Sequence, residues 1–328
     1  MRRIAAAPRS SRPIQPLERC RMIVDLETRA WSSTEQFGAS LGGRMRRLNR
    51  DRPLPLDASP ARLHTETECV AVACVLGHLD DRENAAVPAA FVADIVRRWP
   101  GRFVGVAGID PLHGDPVSQI EQARGLGLHG ITASPSQQGF HPTHSAAMRA
   151  YEAAERAGMP LWVSRPGPLG PESRLEFDQP LAWDEVARSF PSLPIVISGI
   201  GDPWIPETLQ LLVKHERVFA SLAGLVGRSW TLFGALQQAE ELGVLDRLLF
   251  ASGFPYVTPA QAIENLYSVN ALSHGTQLPS IPRAKLKAIV ERESLPLLGI
   301  EFDVAGPGLH AGGSVDLETP SRIADLSR

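Results

Sequence analysis

The sequence predicts an α/β fold, specifically a (β/α)8 TIM barrel, on three observations. Eight short β-branched runs recur along the chain, helix-like stretches separate them, and the runs are apolar nearly throughout. Near-continuous apolarity marks parallel strands covered on both faces, because a strand with one wet face alternates instead. Alternating strand and helix units build a barrel or a doubly wound sheet. No glycine-rich dinucleotide loop follows the first run, which places the doubly wound sheet second.

The runs are Arg21–Glu27, Cys69–Gly77, Arg102–Asp110, His129–Pro135, Pro160–Pro166, Pro194–Ile200, Val218–Gly224 and Arg247–Gly253. Between them, Ala147, Tyr151, Ala154 and Ala157 recur at helical spacing before Gly158, a helix stop. Pro206 suits the first turn of another helix, and Thr258 before Pro259 reads as a helix cap. An insertion after strand 1, from Ser32 to Glu68, carries Arg44, Arg46, Arg47, Arg50 and Arg52. It overhangs the face where barrel enzymes work, as a solvated basic face or as a site for an acidic partner or subunit.

Domain organisation follows. Residues 1–20 form an Arg-rich arm without the apolar core of a secretory signal, and residues 303–328 a Gly/Pro-rich tail, both expected to be flexible. Residues 21–302 form one barrel. A net charge of −3 favours neither nucleic acid nor an anionic membrane, and no apolar run is long enough to span a bilayer. The three cysteines, Cys20, Cys69 and Cys74, make neither a zinc pair nor an even disulfide set, which points to a reducing cytoplasm.

A barrel places its chemistry at the C-terminal ends of its strands. Glu27 and Arg29, two residues apart, share one side of the first such end. The other ends offer His78, Asp110, Ser134, Ser164 with Arg165, Gly199, Gly224, and Ser252 with Gly253.

Several stretches resemble the amidohydrolase superfamily, closest to its amidohydrolase-2 branch of aminocarboxymuconate-semialdehyde decarboxylase-like enzymes. They are "RRWPGRFVGVAGIDP", the segment from "GLGLHGITASP" to "MPLWVSRPG", "FPSLPIVISGIGDPW" onward through "VFASLAGL", "DRLLFASGFPYVTPAQAIENL" and "LKAIVERESLPLLGIE". They run in the family's order from Arg21 to Glu301. The resemblance implies an amidohydrolase-like barrel with a divalent metal held by a His-x-His, two further histidines and an aspartate. Those positions fall here on Glu27, Arg29, Ser164, Gly199 and Gly253. A guanidinium stays protonated and donates no lone pair, and glycine has no side chain to offer. Two oxygen donors fall short of the three or four that a catalytic zinc requires. No metal and no other cofactor is therefore expected.

What replaces the metal stays open at this stage. Arg29 and Arg165 could clamp the carboxylate of a small ligand in a roomier centre with Ser164 and Ser252. Alternatively, Arg29 pairs with Glu27 or Asp202 and fills the metal's structural place. Asp202 caps a helix or enters the pocket, and Trp31 and Trp204 are pocket wall or core. His78 is a general base or an exposed loop residue. His141 and His144 are two ligands lacking a third, or a loop contact and a helix start. Ser134 lacks a base at triad spacing.

The expectation is a non-hydrolytic pseudoenzyme that binds a small acid or partners an active amidohydrolase-like relative, with self-association by analogy. The alternative is a metal-independent lyase, decarboxylase or hydrolase that uses Glu27 as acid/base with Arg29 or Arg165.

Overall fold

The computed structural model describes residues 22–51 and 57–304. Ten strands are assigned: β1 (Val24–Thr28), β2 (Val72–Leu76), β3 (His78–Asp80), β4 (Ala85–Val87), β5 (Phe103–Gly108), β6 (Gly130–Ala133), β7 (Leu161–Val163), β8 (Ile195–Ile197), β9 (Val218–Ser221) and β10 (Leu248–Leu249). Eight form one parallel sheet in the order β1-β2-β5-β6-β7-β8-β9-β10. The sheet closes on itself. Leu26 N–H donates to the Phe250 carbonyl at 3.1 Å, Gly253 N–H to the Glu27 carbonyl at 3.0 Å and Arg29 N–H to the Phe254 carbonyl at 3.0 Å. The eight sheet strands coincide with the eight apolar runs, so the barrel is established.

Strand alternation divides the apolar residues into two clusters. Val72, Cys74, Val104, Trp162, Val196 and Phe219 fall in one, and residues Leu295, Leu298 and Ile300 of the closing helical turn pack onto it. Their strand neighbours, such as Ala73, Phe103, Leu161, Ile195 and Val218, join the cluster that includes the surrounding helices. The three helix signals also hold. Gly158 ends helix Ser145–Ala157 in left-handed conformation, Pro206 lies in the first turn of helix Ile205–Lys214, and Thr258 caps helix Pro259–Tyr267.

Two features escape the periodicity. β3 and β4 form a separate antiparallel hairpin directly after β2. Both strands are three residues long, and the first, His78–Asp80, is mostly polar and runs into the charged turn before Ala85, so neither carries the apolar run that marks the sheet strands. The second feature is a register shift in β1 between Asp25 and Thr28. Val24 and Leu26 belong with the first cluster, and the bulge turns Glu27, next in sequence, toward the mouth together with Arg29.

The insertion folds as a 3-10 turn (Thr34–Phe37) and two helices, Gly38–Asp51 and Pro60–Glu66. Arg46 and Arg47 are exposed, as a solvated face requires, whereas Arg44 donates through Nε to the Pro168 carbonyl at 3.3 Å. Arg52 and the side chain of Arg50 lie outside the described residues, as do the arm, Cys20 and the tail beyond Val304.

Candidate functional site

A cavity of about 380 Å³ opens at the C-terminal ends of the strands. Of the residues singled out in the sequence, Glu27, Arg29, Ser134, Ser164, Arg165, Gly199, Asp202, Gly224 and Gly253 line it. Sequence reading missed Asp178, Ser198, Arg228, Phe254 and Tyr256, which line it too.

Its floor is a hydrogen-bonded network centred on Glu27, which is only 4% exposed. Oε1 accepts from the Ser164 hydroxyl. Oε2 accepts from Ser198 Oγ at 2.5 Å and from Ser221 Oγ at 3.2 Å. Arg29, equally buried, lies beside it with Nη2 at 3.6 Å from Oε1. That Nη2 donates to Ser164 Oγ at 2.5 Å, and Nη1 donates to the Gly77 carbonyl at 3.3 Å. Ser164 thus accepts a hydrogen bond from the guanidinium and donates one to the carboxylate, bridging the pair. Ser134 donates to the Ser164 carbonyl and holds that strand end rather than acting on a ligand. Three serines at the ends of β7, β8 and β9 serve one carboxylate, a pattern visible in "WVSRP", "VISGI" and "VFASL" once those strands are adjacent.

The wall carries two more ion pairs. Arg165 Nη1 reaches Asp178 Oδ2 at 3.3 Å, and its Nη2 donates to the Asp202 carbonyl at 3.1 Å. Arg228 Nη2 donates to Asp202 Oδ2 at 2.8 Å. Asp202 therefore enters the pocket and pairs with Arg228, not with Arg29. It does not cap the next helix, whose N-cap is Trp204 with no side-chain cap bond.

Other candidates fall elsewhere. Ser252 is fully buried beneath the cavity. Its N–H donates to Asp25 Oδ1 at 2.9 Å and its hydroxyl accepts from Phe254 N–H at 3.1 Å. Trp204 is half-buried outside the lining, and Trp31 is core, edge-on to Phe37 at 5.1 Å. His78 is neither an exposed loop residue nor at the cavity: it begins β3 and is 3% exposed. His141 is exposed and pairs with Thr143, and His144 caps helix Ser145–Ala157.

Burial sets the titration of this region. It raises the Asp25 carboxyl from its ordinary 3.8 to about 7, against hydrogen bonds from Ser252 and Glu27. It lowers His78 from 6.5 to about 3, with the Arg29 charge adding to the effect, so His78 is neutral and a poor general base near neutral pH. It raises Tyr256 to about 12, and the Tyr256 hydroxyl donates to the Pro166 carbonyl at 2.7 Å.

A barrel with a polar cavity at the strand ends is the architecture of barrel enzymes. The sequence model of the amidohydrolase family matches residues 25–280, and the chain belongs to that family. Among curated proteins none matches significantly. Solved structures share the fold at low identity. An uncharacterised TIM-barrel protein of Bordetella bronchiseptica has TM-score 0.64 at 19% identity, over 85% of this chain and 98% of that one. An amidohydrolase of Burkholderia multivorans with bound zinc has TM-score 0.63 at 12% identity, over 85% and 100%. A dihydroxybenzoic acid decarboxylase of a Polaromonas species, with bound manganese and the inhibitor 2-nitroresorcinol, has TM-score 0.60 at 16%, over 85% and 97%.

The residues present do not fit a divalent metal. The guanidinium of Arg29 already rests on Ser164 and beside Glu27, the two positions with oxygen donors. Gly199 and Gly253 have φ of +61° and +72°, a left-handed backbone that side chains rarely adopt. A Cβ at Gly199 would stand 3.0 Å from the Ala223 carbonyl oxygen, and one at Gly253 would stand 3.1 Å from Gly224 N. At these two positions the backbone as well as the absent side chain disfavours a metal ligand. Buried Ile200 between them also has positive φ, +49°, which for a β-branched residue costs on the order of 1–3 kcal/mol.

Two predictions follow from these contacts. Arg29→Ala leaves Glu27 buried without its counter-charge and lowers unfolding free energy by about 3–5 kcal/mol, whereas Glu27→Gln with Arg29→Met loses much less. Urea titration of the three proteins checks the order. The second concerns Asp25. An acid raised in the fold keeps its proton at pH values where the unfolded chain has lost it, so its ionisation makes stability fall as pH rises from about 4 to about 7. His78, lowered in the fold, acts oppositely, losing stability as pH falls from about 6.5 toward 3. Asp25→Asn should therefore gain on the wild type as pH rises through that first window. A pH-independent difference in urea midpoint would refute it.

Proposed function

We propose that this amidohydrolase-family barrel has given up metal-dependent hydrolysis and binds a small carboxylated ligand in its mouth. It is a metal-free pseudoenzyme, working as a self-associated protein or beside an active amidohydrolase-like relative in the cytoplasm. The observation that carries this reading is the Glu27–Ser164–Arg29 network, because it takes up three of the five positions at which the resemblance places metal ligands. A side chain that carries its own positive charge supplies what the metal would supply structurally, without a bound water to activate.

The arrangement also narrows how a ligand would be held. Arg29 is committed to Glu27, Ser164 and Gly77, so Arg165 and Arg228 on the wall are the arginines a carboxylate would meet. A catalytic role for Glu27 is disfavoured by the same geometry. Three serine hydroxyls already use its oxygens, two on Oε2 and one on Oε1, so a substrate would compete for the one remaining acceptor position on Oε1, beside the Arg29 guanidinium.

Elemental analysis of the purified protein should find zinc, manganese and iron all well below one equivalent per chain. One tightly bound metal per chain would overturn the proposal.

A further inference from the structure

The charges around the mouth are balanced, and their order is informative. Three arginines (Arg29, Arg165, Arg228) and three carboxylates (Glu27, Asp178, Asp202) line the cavity. The inner pair is buried and closed. The outer four alternate in sign along one wall: Asp178, Arg165, Asp202, Arg228, each within hydrogen-bond distance of the next through side chain or carbonyl. This outer set is accessible, with side-chain exposures of 11% at Asp178, 33% at Arg165, 25% at Asp202 and 48% at Arg228.

A site for a plain anion would carry surplus positive charge, and this one carries none. A carboxylate docking on Arg165 and Arg228 would bring an uncompensated negative charge beside Asp178 and Asp202, and a dicarboxylate would bring two. Like charges set against each other in a partly desolvated cavity reject a ligand. A molecule with one charge of each sign avoids this, because its carboxylate can take an arginine while its cation takes the carboxylate thereby released. The same cavity is lined by Val163, Leu169, Ile197 and Phe254, apolar surface that suits a short hydrocarbon spacer.

We infer that the ligand of this mouth is a small zwitterion, an amino- or guanidino-carboxylate, bound across the Asp178–Arg165–Asp202–Arg228 wall. This rests on the reading that the mouth holds a small acid without a metal, and it specifies which kind.

The test is calorimetric titration of the full chain at neutral pH and low salt with three sets of probes. They are a ladder of ω-amino acids from 3-aminopropanoate to 6-aminohexanoate, the dianions of matching length (succinate to adipate), and pentanoate as the monoanion. At least one amino acid should bind roughly tenfold or more tightly than every dianion and than pentanoate. Asp178→Asn should weaken the amino acid and strengthen the dianion. A dianion or pentanoate binding as tightly as the best amino acid, or no amino acid binding at millimolar concentration, overturns the inference. Metal content is measured on the same preparation. A metal-loaded sample defeats the metal-free reading, whereas a metal-free sample that prefers anions defeats the zwitterion alone.

Discussion

A carboxylate taken out of water must be paired and hydrogen-bonded, and the mouth of this barrel is organised around meeting that demand for Glu27. Arg29 supplies the charge, and Ser164, Ser198 and Ser221 supply the donors. Through these bonds β1 is tied to the ends of β7, β8 and β9, and the Arg29 bond to the Gly77 carbonyl adds β2. A metal ion gathers strand ends in the same way, by drawing ligands from several strands to one centre. Here an internal ion pair does the gathering.

At positions 199 and 253 the chain turns left-handed, which glycine tolerates and other residues rarely do. The loop from Ser198 to Asp202 carries the serine that binds Glu27 at one end and the aspartate that binds Arg228 at the other. Strain at Ile200 is held by its complete burial between them. Glycine at these positions is thus part of the geometry, and a larger residue at either would strain the backbone.

The eight strands were legible in the sequence because parallel strands covered on both faces write themselves as apolar runs, and because Pro, Gly and Thr mark the helix ends. Glu27, Arg29, Ser164 and Arg165 were legible because strand ends are where barrel side chains converge. Ser198, Ser221 and Arg228 were not, since a serine or arginine gains meaning only from the partner that a distant strand or loop brings to it. Ser252 and His78 follow strands yet are buried outside the cavity lining, and direction at a strand end depends on local bulges and on the unforeseen β3–β4 hairpin. The β1 register shift is of the same kind: it aims Glu27 at the mouth but leaves no trace in residue type.

On our proposal, Arg29 stands where the family's chemistry would need a cation. Anomalous scattering from crystals soaked with excess zinc or manganese tests it most directly. No anomalous peak is expected at the Glu27 and Ser164 oxygens, with the Arg29 guanidinium in clear density against Ser164. A peak bridging Glu27 and Ser164, with Arg29 swung away, would contradict it.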